Sequence, residues 1–218
     1  MGRSPACETL WSIEDKSMKI FVLIAFLILV VLGCDSKEEF KKHEPNKDAV
    51  VLYKEAMKIA MFEDDYNEKV DSAIYILEKA IKIDSLYIEP HLGIIGFATL
   101  NKDKTKALEY CHRAQRIYKD FPEFLIIEGV IRESNNESDK AKILYKKALD
   151  IYEKDLVDEM DENPDLELHY IECLYLNNQK KKANAKLEEL KANNKQDPFY
   201  KDLTMEVIME GYREIKNR

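Results

Sequence analysis

The sequence predicts an all-α fold, an α-solenoid of about four helical hairpins closed by a C-terminal capping helix. The main observation is repetition. The stretch Asp71 to Asp84 (DSAIYILEKAIKID) returns twice at an interval of 34 residues: Ala73 recurs as Ala107 and Ala141, Ala80 as Ala114 and Ala148, and Ile83 as Ile117 and Ile151. A period of this size marks supersecondary units that cannot bury an apolar face alone and so must stack. The second observation is the pattern inside each copy. Alanines seven apart share one helix face, and Leu77, Cys111 or Tyr145 stands between them, so a neighbouring helix can approach closely at the methyl groups. The third is composition: 45% apolar and 35% charged residues with only 6 Gly and 6 Pro suits a helical chain and argues against disorder or an all-β fold.

The 218 residues predict one or two domains. Residues 1–33 read as a signal segment. Met18-Lys19 precedes an unbroken apolar run, Ile20 to Leu32, whose 13 residues are too few to span a bilayer and right for the apolar region of a secretory signal. Residues Met1 to Ser17 carry Glu8, Glu14 and Asp15 where a signal should be positive, so translation is expected to start at Met18. The run ends Val31-Leu32-Gly33-Cys34, which resembles the lipobox of bacterial lipoproteins. That resemblance implies cleavage before Cys34 and a lipid on its sulfur, with an uncleaved anchor as the alternative. Residues 34–46 are a polar tether. The cluster Asp35-Ser36-Lys37-Glu38-Glu39 resembles the export signal of some Gram-negative surface lipoproteins, whereas Asp directly after the cysteine is elsewhere an inner-membrane retention mark. The expected location is the bacterial envelope, in the outer membrane, with the leaflet open.

Residues 47–218 form the helical domain. Ala49, Leu52, Tyr53, Ala56, Ile59 and Ala60 follow helical spacing and build the first helix, and Glu63 to Glu68 is a polar turn leading into the repeated helix. The second hairpin runs from about Ile88 to Lys119 and turns at Asn101-Lys102-Asp103; the third opens on Pro122 and turns at Ser134-Asn135-Asn136. Then the register slips. Ala183, Leu187 and Leu190 echo Ala141, Tyr145 and Ala148 at a spacing of 42, so eight residues are inserted, within the acidic stretch Glu153 to Glu167. The fourth hairpin is therefore about Asp165 to Ala192. A last helix opens near Asp197-Pro198, and its stripe Phe199, Leu203, Val207, Ile208, Tyr212, Ile215 is expected to cap the stack with its outer side in water.

From Lys47 to Arg218 the period and the alanine pattern resemble the tetratricopeptide repeat family. Gly129 stands twelve before Ala141, as that pattern asks, while Ile95 holds the equivalent place before Ala107, and His91 and Leu125 replace the usual early aromatic. The resemblance implies a non-enzymatic protein-interaction scaffold whose first helices line a concave face. Carried over position by position, that face comprises Glu89, Leu92, Gly96 and Thr99, then Glu123, Ile126, Val130 and Glu133, then Asp165, Leu168, Glu172 and Tyr175. The family's lysine and asparagine clamp for a terminal carboxylate is missing. An aliphatic floor with acidic edges is expected to receive a protein or peptide segment with apolar anchors and basic flanks. The bland alternative, that Leu92, Ile126 and Leu168 merely pack between helices, fits the same residues. A second reading is a module for a peptide, glycan or small ligand, which calls for a deeper pocket and more exposed aromatics.

Other chemistry is sparse. A net charge of −8 argues against nucleic acid as partner. Cys111 and Cys173 lie on apolar stripes almost two repeats apart and read as buried small hydrophobes. His43, His91, His112 and His169 are scattered and are read as lacking a second ligand three or four residues away, so no metal is expected. Asp161, Asn163, Asp165, Glu167 and Glu172 fall at calcium-loop spacing, but Leu166 replaces the turn glycine and Pro164 stiffens the loop, so a solvated acidic loop is expected instead. Neither a phosphate-binding glycine loop nor a Gly-x-Ser-x-Gly elbow occurs, and neither an enzymatic activity nor a cofactor is expected.

Overall fold

A computed structural model describes residues 43–62, 66–119, 121–160 and 163–217. The signal segment, Cys34 and most of the tether lie outside the described residues. Among the described residues the regular structure is entirely helical: α1 (Lys47–Phe62), α2 (Tyr66–Ile83), α3 (Ile88–Leu100), α4 (Lys104–Ile117), α5 (Pro122–Ser134), α6 (Ser138–Asp155), α7 (Val157–Met160), α8 (Pro164–Leu176), α9 (Lys180–Asn193), α10 (Pro198–Lys201), α11 (Met205–Ile208) and α12 (Glu210–Asn217). Consecutive helices pack as pairs, α1 with α2, α3 with α4, α5 with α6 and α8 with α9, and each pair touches the next.

The pairs follow from the alanine stripe. Ala73, Ala80, Ala107, Ala114, Ala141, Ala148 and Ala183 are all buried, as are Leu77, Cys111, Tyr145 and Leu187 between or beside them. Each small side chain lets a partner helix come close, and the larger residue fills the remaining space. The third repeated position is less uniform: Ile151 is buried, but Ile83 is 47% exposed.

Three of the intervening turns close in one way. Lys102, Asn136 and Asn178 each take a positive φ, at 60°, 64° and 61°. The next residue's amide bonds back across the turn, Asp103 to Ala98, Glu137 to Arg132 and Gln179 to Leu174, while the positive-φ residue bonds to Thr99, Glu133 or Tyr175. This is the Schellman closure, which satisfies the last helical carbonyls. Lys102 and Asn136 are 34 apart and Asn136 and Asn178 are 42 apart, so the backbone repeats with the alanines. Starts are equally local. Pro122, Pro164 and Pro198 occupy first turns, and Asn163 Oδ1 accepts from the amides of Asp165 and Leu166.

Two expectations need correction. Helix α2 already begins at Tyr66, inside the stretch expected to be a turn. The C-terminal stripe is not one helix but three short ones, because the chain breaks at Asp202–Thr204, where Thr204 Oγ1 caps the amide of Val207, and again at Met209. These breaks turn α12 back so that it packs against α5. Leu203, Ile208, Tyr212 and Ile215 are buried there, whereas Phe199 and Val207 face solvent. The inserted residues lengthen α6 to Asp155 and supply α7.

Candidate functional site

The face carried by α3, α5 and α8 collects the residues expected to meet a partner, and most are inaccessible. On α3, Leu92 and Thr99 are buried, Thr99 donating to the carbonyl of Ile95, while Glu89 and Gly96 are half-buried. On α5, Glu123, Ile126 and Val130 are buried and Glu133 is half-buried. On α8, Leu168 and Glu172 are buried and Asp165 and Tyr175 are half-buried. The structure brings the α5 and α8 residues together under the chain's own C-terminus and leaves Glu89 apart from them.

Over α5, and reaching Glu172 of α8, lies α12. Its apolar side, with Tyr212 and Ile215, is buried, and two polar ties fix it: the Tyr212 hydroxyl donates to Glu172 Oε2 at 2.9 Å, and Lys216 Nζ lies 2.7 Å from Glu133 Oε1. The Tyr145 hydroxyl donates to the other Glu133 oxygen at 3.0 Å, so that carboxylate has partners on both sides.

Beneath α12 lies a buried ionisable cluster. His169 Nδ1 is 3.0 Å from Glu172 Oε2, and the Tyr152 hydroxyl donates to Glu123 Oε1 at 2.9 Å. Glu123 Oε2 and His169 Nε2 are buried with no hydrogen-bond partner. Burial by itself would lower the His169 pKa, but the adjoining Glu172 carboxylate, helped by Glu123 and Asp165, raises it to about 9. Burial likewise pushes the Glu123 carboxyl upward, and the His169 charge only partly offsets it. The Tyr212 hydroxyl is pushed well up by burial and by Glu172, so it stays a donor. The expectation that no histidine has a partner three or four residues away is corrected here: Glu172 follows His169 by three and lies on the same helix face. That spacing was the available signal; the third member, Tyr212, is 40 residues further on and left none.

A second network was also missed. Glu128, buried on α5, receives Arg132 Nε at 2.6 Å and Gln115 Nε2 at 2.8 Å, with His112 Nε2 at 3.1 Å from the same oxygen as Arg132. Burial opposes its charge, yet these donors hold its carboxyl below the usual value. At the amino end, His43 Nε2 sits 2.8 Å from Asp84 Oδ2, which also accepts from the Asn46 amide, so the last tether residues dock on the turn after α2. Burial works against the Asp84 charge, but these bonds lower its pKa overall.

Cys111 and Cys173 are buried free thiols whose pKa burial pushes upward. Among the described residues no group of three or more His, Cys, Asp or Glu side chains is arranged to hold a metal ion. Asp165 and Glu172, from the calcium-spaced set, instead accept from Tyr200 and Tyr212. No described helix is long and apolar enough to cross a membrane. Where α12 meets the ends of α5, α8 and α9 a cavity of about 250 Å³ remains, lined by Glu133, Tyr175, Lys180, Met209, Arg213 and Lys216 among others. No protein-family model matches this chain, and no curated protein matches it.

Proposed function

We propose that this chain is a lipid-anchored interaction scaffold of the bacterial envelope, an α-solenoid of about four tetratricopeptide-like hairpins, held to the membrane through Cys34 and without enzymatic activity. The repeat reading is supported by the Schellman closures that recur at the alanine spacings of 34 and 42. The observation that carries the functional reading is the seat of α12. An amphipathic helix with Tyr212 and Ile215 as apolar anchors and Arg213 and Lys216 as basic flanks occupies the face of α5 and α8, with Glu133 meeting Lys216. A surface that accepts its own helix of this chemistry has the form needed for helix-in-groove recognition. The partner is then a protein helix of the same pattern, continuing the row beside α12 along α3, where Glu89 and Gly96 are only half-covered.

Crosslinking in the native cell followed by mass spectrometry tests this, comparing wild type with Cys34→Ala and Glu89→Lys. A defined envelope protein captured by wild type, lost from Cys34→Ala and reduced several-fold by Glu89→Lys is the expected result. Capture that ignores Glu89→Lys removes the α3 edge from the reading. Recovery of Cys34→Ala in the membrane fraction as efficiently as wild type removes the lipid anchor. Glu123 is unsuitable for such a test, because reversing a fully buried carboxyl perturbs folding itself.

A further inference from the structure

The cavity between α12 and the ends of α5, α8 and α9 has an unusual electrostatic balance for a chain of net charge −8. Three cations line it, Lys180, Arg213 and Lys216, against one lining carboxylate, Glu133. Glu133 is already matched, by Lys216 at 2.7 Å and by the Tyr145 hydroxyl at 3.0 Å. That leaves Lys180 and Arg213. The Lys180 ammonium stands 5.1 Å from the centroid of the Tyr175 ring, and among the described residues Arg213 pairs with the exposed Glu206 at 3.8 Å. Asn178 and Lys180, which both line the cavity, flank the start of α9, where Gln179 makes no side-chain cap bond, and a helix start favours negative charge. The Tyr175 ring, Leu176 and Met209 also line it and supply its apolar part.

We infer that this cavity binds a small organic anion, one carboxylate or phosphate monoester carried on an apolar body about the size of an aromatic ring. The anion meets Lys180 and Arg213, and the body lies against Tyr175 and Met209. Size supports the match: a cavity of about 150 Å³ already accommodates benzene, and 250 Å³ adds room for one charged group. Bidentate pairing from arginine gives the carboxylate or phosphate its orientation. Because α12 supplies one wall, an occupied cavity ties α12 to α8 and α9 more firmly. The inference does not depend on the scaffold reading: its failure would leave the partner experiment untouched.

The test is a titration of the full chain in detergent, followed by protein-observed NMR at the amides of Asn178, Lys180 and Arg213, with three probes: benzoate, phenyl phosphate and the neutral isostere benzamide. At least one anion is expected to shift these amides saturably, and which one does so separates a carboxylate ligand from a phosphate ligand. Lys180→Gln and Arg213→Gln are each expected to weaken that anion about tenfold, the effect of losing one charge-assisted hydrogen bond. Lys180→Arg should retain binding. Both altered residues are exposed, so the variants are expected to fold like wild type. The proposal is overturned if neither anion shifts the amides, if benzamide binds as tightly, or if both charge-removing variants bind as wild type does.

Discussion

Gly129 illustrates how a single missing methyl group can set the geometry of a helix pair. A Cβ built there would run into the Tyr145 ring, onto Cε1 and within 2.8 Å of Cδ1, and Tyr145 is buried and tied to Glu133. Gly129→Ala is therefore expected to destabilise by about 1–2 kcal/mol, overpacking outweighing the helix-propensity gain of about 1 kcal/mol. At Gly93 the nearest atom is a Leu77 methyl at 3.0 Å, the end of a flexible side chain. Gly93→Ala should stay within about 1 kcal/mol of wild type, and chemical denaturation of both variants checks the contrast. His169 has a different signature. Its folded pKa of about 9 lies above the ordinary 6.5, so its stabilising effect is complete below pH 6.5 and is lost as pH rises towards 9. The raised Glu123 carboxyl acts in the same sense from its ordinary value of 4.5 upward. The melting temperature is expected to fall on the order of 5 °C between pH 6.5 and 9, and His169→Gln should flatten most of that slope.

At the scale of the element, the hairpin turns decide where each helix stops. Lys102 holds the left-handed conformation that Asn136 and Asn178 hold in the other two turns, and a branched-free but Cβ-bearing lysine is the least suited of the three. Lys102→Gly is expected to raise stability by about 1 kcal/mol, or roughly 2–4 °C in melting temperature, because the turn is kept while its strain is relieved. A thermal melt that falls instead would mean the lysine side chain contributes something the turn geometry does not show. The same scale explains the C-terminal stripe. Its apolar periodicity was legible, but Thr204 competes for the backbone as a cap and separates α10 from α11, and a second break at Met209 separates α11 from α12.

For the whole molecule, the Tyr212 hydroxyl on Glu172 joins the last helix to α8 across 40 residues. Tyr212→Phe keeps the ring but strips a donor from a buried carboxyl, and should cost about 1–3 kcal/mol. Lys216→Ala removes a half-exposed ion pair and should cost less than about 1 kcal/mol. Urea unfolding of the two variants ranks them, and a larger loss in Lys216→Ala than in Tyr212→Phe would show that α12 is held by its charge more than by its buried hydroxyl. The helical class, the hairpin boundaries within a few residues, the turns at 101–103 and 134–136 and the buried alanine stripe were determined by the sequence alone, because period, small residues and caps act over one or two helical turns. The candidate face came from the family resemblance, which carried Glu123, Ile126, Val130 and Glu133 over to α5 position by position. Only the tertiary structure decided that α12 folds back against α5, that His169, Glu172, Glu123 and Tyr212 form one cluster, and that Lys180 and Arg213 border one cavity. Apart from His169 and Glu172, three apart on one helix, those contacts join residues about 30 to 90 apart, and no local pattern encodes them; they follow from how the helix pairs stack and where the last break lets the chain return.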